Sequence, residues 1–460
     1  MTTGNYDVAI IGGGPGGYVS ALYLSHFNKK ICLIENAELG GICLNHGCIP
    51  TKFYAAASKK KKDLGSIDFY GLRAENIDFD FGCMFERKNK IVVQLRKGVE
   101  FLLKKRNITI IRERATFLEK NKIKAGKYEI TASNIIISTG SRPKMLSAFN
   151  GFKDCFITSS QLLNLKTLPK DLVISGGGVI GCEFASIFRG LGSNVAIIEK
   201  EDMLLPGMSP DISDALAKSF KKNGIELFTK NSIKTIDRKK NGDSYEVSLN
   251  SGQKMNAEKV LTAIGRVPEV SDLNLENAGI EADNDGIKVN GHLETSSNGV
   301  YAIGDCIGGS MYAHTASHEA ITACENIVGN KISVDYTALP NCIFTSPEIG
   351  IVGLTQQQID EKGIQSETYK FNFNALGRSY INRDENGYLR VILEKKTRKI
   401  IAAECISEQA AELISEIALA IKTGLTVFDI AGKIFAHPTM SEAFHEIALM
   451  GSDKGIHSLR

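Results

Sequence analysis

Two cysteines five residues apart, Cys43 and Cys48, are the residues of this chain whose type and spacing most directly offer chemistry. They lie in residues 40–52, which read GGICLNHGCIPTK. A close cysteine pair can form a structural disulfide, contribute to a metal site or carry two electrons as a reversible disulfide. The residue types alone leave these three uses open, so the rest of the chain has to separate them.

The remaining cysteines show no such pairing. They are scattered among apolar neighbours, at Cys32, Cys83, Cys155, Cys182, Cys306, Cys324, Cys342 and Cys405. This pattern is typical of reduced, buried thiols in a protein from a reducing compartment. Zinc is the main competitor for the close pair, but no second cysteine pair or spaced histidine pair completes a ligand set near it. We therefore expect no metal site.

Length and charge exclude several classes of protein. The 460 residues exceed what one hydrophobic core organises and predict two to four domains. A net charge of +3 is too small to indicate a nucleic-acid partner. No apolar run reaches the ~18–20 residues that a membrane span requires. The chain enters a strand at residues 7–11 without a signal peptide or Arg-rich presequence. This predicts a cytoplasmic protein, although a matured organelle protein would look the same.

A glycine-rich pattern occurs twice, each time between a short apolar strand and a helix. In the first copy, strand 7–11 leads through the glycines into a helix at residues 18–27 and a strand at 31–34. In the second, strand 172–175 leads into a helix through residue 188 and a strand at 195–198. The glycines and closing acid are Gly12, Gly14, Gly17 and Glu35 in the first copy, and Gly176, Gly178, Gly181 and Glu199 in the second.

Each part of this pattern has a physical task in binding a dinucleotide. The first glycine permits the tight turn, the second lets a pyrophosphate approach the backbone, and the third lets the helix pack closely. The helix N-terminus faces the phosphates, and the acid accepts hydrogen bonds from ribose hydroxyls. A single such turn is a weak signal, because a glycine turn without a ligand looks the same. Two complete copies predict two dinucleotides, FAD and a nicotinamide cofactor.

The acid of the second copy selects between the nicotinamide cofactors. A carboxylate at Glu199 suits the free 2′-hydroxyl of NAD, whereas a 2′-phosphate would be repelled. Lys200 follows, but no arginine pair occupies the next turn. We therefore expect NAD and not NADP.

At this point the motifs resemble those of a known family. Residues 40–52 resemble the redox motif of the flavoprotein disulfide reductases, most closely that of dihydrolipoamide dehydrogenases. Further segments match in the same order along essentially the whole chain: ISTGSRP at 137–143, AIGRVP at 263–268, YAIGD at 301–305, AHTA at 313–316 and AHPTMSE at 436–442. The resemblance implies FAD and NAD as cofactors.

The resemblance also implies the architecture. It is an α/β fold with two Rossmann-like domains, one binding FAD and one binding NAD, and a C-terminal α+β dimerisation domain. The expected boundaries are 1–145 for the FAD-binding domain with the redox disulfide, 146–269 for the NAD-binding domain, 270–338 for a central domain that completes the FAD site, and 339–460 for the dimerisation domain. The family forms homodimers in which the partner subunit supplies the acid–base histidine to a shared active site.

Roles for the reacting residues follow from the resemblance. Cys43 is the outer thiol that exchanges with substrate, and Cys48 is the inner thiol beside the flavin. The pair forms a redox-active disulfide, and its helix N-terminus favours thiolate. His46 lies between the thiols, where the family varies, and could shift their pKa values. The remaining expected catalytic residues are an acid–base couple and an ion pair near the flavin, His437 with Glu442 and Lys52 with Glu183.

Binding residues are carried over in the same way. For FAD we expect Gly12, Gly14, Gly17, Glu35, Gly41, Lys52, Thr139, Gly140, Asp305, Ala313 and His314. For NAD we expect Gly176, Gly178, Gly181, Glu199, Gly265 and Arg266. Asp305 would bond the ribityl chain, and residues 313–316 would lie along the isoalloxazine.

The function implied is oxidation of protein-bound dihydrolipoamide with NAD⁺ as acceptor. The partners would be lipoyl domains of 2-oxoacid dehydrogenase complexes or the glycine cleavage H protein. An alternative within the family is a reductase of another small disulfide that uses FAD and NAD(P)H. An alternative of another class is a non-catalytic scaffold subunit, against which the intact thiol pair and His437 argue.

Overall fold

The computed structural model describes residues 2–75, 78–149, 151–239 and 244–457. It is a mixed α/β fold whose contacts divide the chain into two units. The first comprises Met1–Phe184, Phe188–Lys200 and Phe228–Val334, and the second Ala185–Ile187, Glu201–Leu227 and Asp335–Arg460. Within the described ranges, no helix is both long and apolar enough to cross a membrane.

The strands occur along the whole chain. They are β1 (Thr2–Ile11), β2 (Ile31–Ile34), β3 (Thr109–Ile111), β4 (Ala115–Glu119), β5 (Lys122–Ala125), β6 (Tyr128–Ile137), β7 (Ser141–Pro143), β8 (Phe156–Ile157), β9 (Asp171–Ser175), β10 (Asn194–Ile198), β11 (Ile225–Phe228), β12 (Ile233–Arg238), β13 (Tyr245–Leu249), β14 (Lys254–Ala257), β15 (Lys259–Thr262), β16 (Arg266–Pro268), β17 (Ala282–Asp283), β18 (Gly286–Ile287), β19 (Val300–Ala302), β20 (Asn341–Ile343), β21 (Glu348–Gly353), β22 (Ser366–Asn372), β23 (Tyr388–Glu394) and β24 (Ile400–Ser407).

The α-helices range from single turns to seven turns. They are α1 (Pro15–Leu24), α2 (Gly41–His46), α3 (Cys48–Leu64), α4 (Phe81–Lys105), α5 (Ser159–Leu162), α6 (Val179–Leu191), α7 (Pro210–Lys222), α8 (Ala313–Val328), α9 (Gln356–Glu361), α10 (Gly377–Asn382), α11 (Ala410–Lys422), α12 (Val427–Ala431) and α13 (Glu442–Gly451).

A sheet with β1 near its centre organises the start of the first unit. Its strand order is β3-β2-β1-β6-β5-β4, and β19 pairs with β6. β1 runs parallel to both neighbours, β2 and β6. Successive residues of a strand point to opposite faces, so Val8 and Ile10 join one apolar cluster while Ala9 and Ile11 join another. Burial on both faces explains why β1 ends in a continuous apolar run.

The second glycine pattern builds a second parallel sheet in the same unit. β9 pairs in parallel with β10 and β15, and β15 pairs in parallel with β8. The strands β7 and β16 form an antiparallel pair in which Ser141 lies opposite Pro268. The two segments that the family resemblance singled out at residues 137–143 and 263–268 are therefore neighbours.

The second unit contains an antiparallel sheet covered by helices. The strand order is β20-β21-β24-β23-β22. Apolar residues of β23, such as Val391, share one buried cluster with Ile414 of α11 and Phe444 of α13. The expected mixed α/β fold with a C-terminal α+β part is confirmed.

Some predicted element ends agree with the observed ones and others do not. β2 has the predicted bounds, whereas β1 begins at Thr2, before the predicted strand at 7–11. The predicted helix at 18–27 is instead α1, Pro15–Leu24, followed by a 3-10 turn at Ser25–Phe27. The helix begins earlier because proline is favoured at the first helical position. A backbone N–H there would have no partner within the helix, and the proline ring already holds φ near the helical value.

Both glycine turns are too tight for side chains at their first and third glycines. Gly12 and Gly176 have φ of +102° and +111°, which favours glycine. A Cβ on Gly17 would lie 1.8 Å from the carbonyl oxygen of Gly12, and one on Gly181 would lie 1.9 Å from that of Gly176. The third glycine therefore lets each helix start directly over its turn.

Replacing Gly181 by alanine should lower the melting temperature, because backbone must shift to accept the Cβ and such overpacking costs about 1–3 kcal/mol. The matched control is Gly98→Ala in α4, where no atom lies within 4 Å of the new Cβ. That change should stabilise by roughly 0.5–1 kcal/mol. Thermal melting followed by circular dichroism compares them, and an unaltered melting temperature for Gly181→Ala would contradict the tight turn.

Candidate functional site

The close cysteine pair forms a disulfide at the junction of two helices. Cys43 lies in α2 and Cys48 is the first residue of α3, with their Cα atoms 4.6 Å apart. The N-terminus of a helix carries a partial positive charge that favours a thiolate. Reduction of the bond would therefore release Cys48 where its anion is stabilised.

The redox segment is docked on the first glycine turn. The backbone N–H of Gly40 donates to the carbonyl oxygen of Gly13 at 2.8 Å. Gly41 has a φ of +59°, and a Cβ there would lie 2.7 Å from the Cα of Gly14. Only glycine fits at Gly41, and the backbone contact places the thiol-bearing helices beside this turn.

The first turn leaves space where a dinucleotide pyrophosphate would lie. Gly14 caps α1, and a Cβ on it would have no neighbour closer than the Cα of Gly41 at 3.8 Å. Protein packing therefore does not explain the missing side chain at Gly14, whereas close approach of a phosphate does. The acid of the pattern, Glu35, accepts the N–H groups of Gly13 and Ala37, each at 2.7 Å. These residues fit a bound dinucleotide.

The second turn repeats this arrangement. Gly178 caps α6, and no atom lies within 4 Å of a Cβ built on it. Glu199 accepts the N–H of Gly177 through its carboxylate, as Glu35 does in the first turn. The exposed N-terminus of α6 and the adjacent carboxylate fit a second dinucleotide with a free 2′-hydroxyl.

An ion pair connects the redox helix to the helix of the second turn. Lys52, one turn after Cys48 on α3, donates from Nζ to both carboxylate oxygens of Glu183 on α6 at 2.9 Å. The side chain of Glu183 is 8% exposed and that of Lys52 34%. Because the acid is buried, its charge requires this partner. The predicted pairing of the two residues is present.

Arg266, which we expect to contribute to the NAD site, is hydrogen-bonded to Ser141 in this structure. Its guanidinium donates to the hydroxyl and the carbonyl oxygen of Ser141, each at 2.7 Å. The Ser141 hydroxyl in turn donates to Asp305, whose carboxylate is 3.8 Å from Arg266 Nε. Burial lowers the pKa of Arg266, and the Asp305 charge opposes that effect. Sequence reasoning did not single out Ser141, although its segment was recognised.

The other expected binding residues lie at turns and at a helix start. Gly140 and Gly265 have positive φ values of +77° and +109°, and no atom lies within 4 Å of a Cβ built on either residue. The hydroxyl of Thr139 donates to the Glu269 carbonyl oxygen at 2.6 Å. Ala313 and His314 are the first two residues of α8. The backbone N–H groups at that N-terminus suit an electron-rich ligand edge.

In the second unit, His437 and Glu442 form a hydrogen-bonded couple. The His437 Nδ1 and Glu442 Oε1 atoms are 2.9 Å apart, and the other carboxylate oxygen accepts the N–H of Thr439 at 2.9 Å. Glu442 is the first residue of α13, where a carboxylate is favoured. The His437 side chain is 78% exposed, so Nε2 faces outward to exchange a proton. A carboxylate bonded to one ring nitrogen holds the imidazole in a fixed orientation.

The remaining cysteines are buried, except for Cys83, which is exposed, and Cys342, which is half-buried. A buried thiol lacks the solvent access that a reactive thiol needs. Burial raises the pKa of Cys32 and of Cys324 to about 12, so these thiols stay protonated near neutral pH. Within the ranges that the structure covers, no group of three or more histidine, cysteine or acidic side chains has a metal-binding arrangement.

The disulfide is docked on one dinucleotide-type turn, and an ion pair links its segment to the helix that follows the second such turn. This arrangement defines a class of protein. It is an oxidoreductase that passes electrons between a disulfide and bound nucleotides. The pyridine nucleotide-disulphide oxidoreductase description matches residues 6–320, and the dimerisation domain of the same family matches residues 339–448. The chain belongs to this family.

Relatives over the full length point the same way. Dihydrolipoyl dehydrogenases of Chlamydia muridarum and Geobacillus stearothermophilus are each 36% identical to the chain. The first match covers 98% of both chains, and the second covers 98% of this chain and 97% of the relative. The family and these relatives use FAD and NAD, and the chain is an FAD-dependent oxidoreductase.

Solved structures share the fold. A crystal structure of LpdA from Mycobacterium tuberculosis has a TM-score of 0.90 at 25% identity and covers 98% of this chain and 99% of its own. The flavoprotein disulfide reductase RclA from Escherichia coli, solved as a Cu(II) complex, has a TM-score of 0.86 at 28% identity and covers 96% of this chain and 99% of its own. The dimerisation domain supports a homodimer.

The hydrogen bonds that Glu442 accepts should make the stability of the fold fall at acid pH. Burial alone would raise the pKa of Glu442, but the hydrogen bonds from His437 and Thr439 outweigh it and lower the pKa. A lowered folded-state pKa stabilises the fold above the ordinary glutamate value of about 4.3, and this contribution is lost as the pH falls through the folded value. Melting temperatures of the wild type and Glu442→Gln should therefore differ near neutral pH and converge below about pH 4.

The control for this measurement is Glu412→Gln, which changes an exposed glutamate in the first turn of α11. Its melting temperature should stay close to that of the wild type over the same pH range. A constant difference between the wild type and Glu442→Gln down to the acid limit would contradict the stabilised carboxylate.

Proposed function

We propose that the chain is a dihydrolipoyl dehydrogenase, which oxidises a protein-bound dihydrolipoyl group and reduces NAD⁺. The observation that carries this proposal is the Cys43–Cys48 disulfide docked through Gly41 on the first dinucleotide-type turn. Full-length relatives named dihydrolipoyl dehydrogenase support it. The disulfide supplies the step that accepts electrons from a dithiol, and the two turns supply sites for the nucleotides.

The thiol step is a pair of disulfide exchanges. A substrate thiolate attacks Cys43 Sγ, the bond between Cys43 and Cys48 breaks, and Cys48 leaves as a thiolate. The second substrate sulfur then displaces Cys43, which closes the lipoyl disulfide. Two electrons have entered the cysteine pair. Of the two substrate protons, one is held by His437 and the other ends on Cys43.

His437 acts as the acid–base group in this step. Its Nδ1 is held by Glu442, so the outward Nε2 accepts the proton of the attacking thiol. The carboxylate stabilises the imidazolium that forms. We propose that the partner subunit's His437 serves each disulfide, in the homodimer that the dimerisation domain supports.

The first turn, with Gly12, Gly14, Gly17 and Glu35, would hold the adenine dinucleotide part of FAD. Asp305, braced by Ser141 and Arg266, would accept a ribityl hydroxyl, and Ala313 and His314 would place the α8 N-terminus at the ring. Bound FAD supplies two-electron transfer between a thiolate and a nicotinamide. Lys52, held by Glu183, would present its ammonium to the ring.

The second turn would hold NAD⁺ rather than NADP⁺. Gly178 leaves the α6 N-terminus open to the pyrophosphate, and Glu199 would accept the ribose hydroxyls. A 2′-phosphate at that place would meet the Glu199 carboxylate and lose affinity through charge repulsion.

The domain boundaries and partners are part of the same proposal. The dimerisation domain of the family matches from residue 339, which supports the boundary at 338, and the boundaries at 145 and 269 rest on the family resemblance. The partners would be lipoyl domains of 2-oxoacid dehydrogenase complexes or the glycine cleavage H protein. A cytoplasmic location suits a chain whose cysteines outside the redox pair are free thiols.

Serine at each redox cysteine separates their roles. Cys43→Ser and Cys48→Ser should both abolish NAD⁺ reduction by dihydrolipoamide, because neither leaves a disulfide. Only Cys43→Ser should keep the long-wavelength absorbance of a thiolate against the flavin, which visible spectroscopy detects. NADH oxidation by ferricyanide serves as the control and should persist in both. Wild-type dihydrolipoamide turnover in either variant would contradict the assigned roles, whereas a wild type without dihydrolipoamide turnover would favour a scaffold or another reductase.

Replacing His437 by glutamine should lower kcat with dihydrolipoamide by roughly 10²–10⁴-fold, the usual contribution of a positioned acid–base group. NADH oxidation by ferricyanide should be unaffected, since no thiol proton moves in it. His292→Gln, at an exposed histidine of the first unit, is the matched control and should retain full turnover. Stopped-flow measurement of thiol-pair reduction gives the rates. A His437→Gln rate within twofold of the wild type would argue against this assignment.

A further inference from the structure

A lysine of the first unit is buried without a counter-ion. Lys88, on α4, is 3% exposed. Its Nζ donates to the carbonyl oxygen of Leu163 at 3.0 Å and to Asn164 Oδ1 at 3.4 Å, and it lies 4.5 Å from the centre of the Phe85 ring. Among the described residues it forms no ion pair. Burying an unpaired ammonium is costly, so its retention suggests a use for the charge.

The hydrogen bonds of Lys88 lead to the redox segment. Leu163 and Asn164 directly follow α5, and Ser160 of α5 donates to the backbone carbonyl of His46 at 3.4 Å. His46 lies between the two redox cysteines in the sequence. The end of α5 is thus bonded to the buried ammonium on one side and to the redox segment on the other.

The charge of Lys88 also reaches this segment. Desolvation lowers the pKa of the partly exposed His46 ring, and the positive charges of Lys88 and then Arg96 lower it further. Arg96 has a carboxylate partner, because its guanidinium is 2.8 Å from Glu38. Lys88 forms no such ion pair among the described residues: burial lowers its pKa to about 8, and the charge of Glu86 partly opposes this effect.

We propose that the buried ammonium of Lys88 raises the reduction potential of the Cys43–Cys48 pair by stabilising the thiolate formed on reduction. This rests on the proposed function, since it needs a pair that is reduced in turnover. Two electrons from a dithiol or NADH break the S–S bond, one sulfur takes a proton, and the other stays anionic. A nearby cation stabilises this anionic state but not the neutral disulfide. Its effect is strongest where water is excluded.

Methionine at Lys88 tests this directly, because it keeps the length of the side chain and removes the charge. The protein with bound FAD is equilibrated anaerobically with mixtures of NADH and NAD⁺, and the long-wavelength absorbance reports the reduced pair. At a fixed NADH/NAD⁺ ratio, Lys88→Met should lower the ratio of reduced to oxidised pair about tenfold, which corresponds to about 30 mV. The matched control is Lys90→Met, an exposed lysine of the same helix, which should leave the ratio unchanged.

A second variant keeps the test decisive if Lys88→Met folds poorly. Asn164→Asp keeps the size of a side chain whose Oδ1 lies 3.4 Å from Lys88 Nζ and adds a carboxylate there. Because this carboxylate offsets the charge of the ammonium, the variant should also lower the potential of the pair. A merely structural role of Lys88 would lower the melting temperature without moving the potential.

The outcomes separate this inference from the proposed function. An unaltered or raised potential in folded Lys88→Met overturns the inference, as does an unaltered or raised potential in Asn164→Asp if Lys88→Met does not fold. If the wild-type thiol pair is not reduced by dihydrolipoamide or NADH at all, the proposed function fails instead. A fall of the potential in Lys88→Met and in Asn164→Asp supports the role of Lys88.

Discussion

The backbone contact between Gly13–Gly14 and Gly40–Gly41 is the constraint on which the site depends. The Gly40 N–H to Gly13 carbonyl bond and the approach of Gly41 to the Gly14 Cα leave no room for a side chain at Gly41. The contact fixes the start of the thiol-bearing helices against a turn whose own glycine, Gly14, is left open. One close approach therefore sets a disulfide beside a nucleotide cradle.

Charge compensation continues this arrangement along α3. Lys52 meets the buried Glu183 of α6, whose N-terminus is the second cradle. The redox segment is thereby joined to both glycine turns, through the backbone of Gly40 at the first and through the ion pair of Lys52 at the second. Lys88 contributes a different kind of charge, which is buried and forms no ion pair among the described residues, and whose proposed target is the thiol pair.

Local patterns predicted much of this structure. Glycine turns between apolar runs located β1, β2, β9 and β10, because each run is buried on both faces and each turn has steric requirements that only glycine meets. The pairing of His437 with Glu442 came from resemblance to a family, as did the pairing of Lys52 with Glu183, which is 131 residues away in the chain.

What local patterns missed was contact between distant segments. Ser141 and Arg266 are brought together by the antiparallel strands β7 and β16, and no periodicity in either segment encodes that partner. The sequence led us to expect Arg266 at NAD, but it did not predict that Arg266 lies 3.8 Å from the Asp305 carboxylate. The burial of Lys88 was equally hidden, because a lysine in a charged helix such as α4 is usually exposed.

The central claim is that electrons enter through the Cys43–Cys48 disulfide and leave to NAD⁺. Anaerobic titration of the purified protein with dihydrolipoamide, followed by NAD⁺ or NADP⁺, tests it most directly by visible spectroscopy. The account predicts long-wavelength absorbance after a stoichiometric amount of dithiol, and its loss with formation of NADH when NAD⁺ is added but little change with NADP⁺. No response to the dithiol, together with rapid turnover of glutathione disulfide by NADPH, would contradict it.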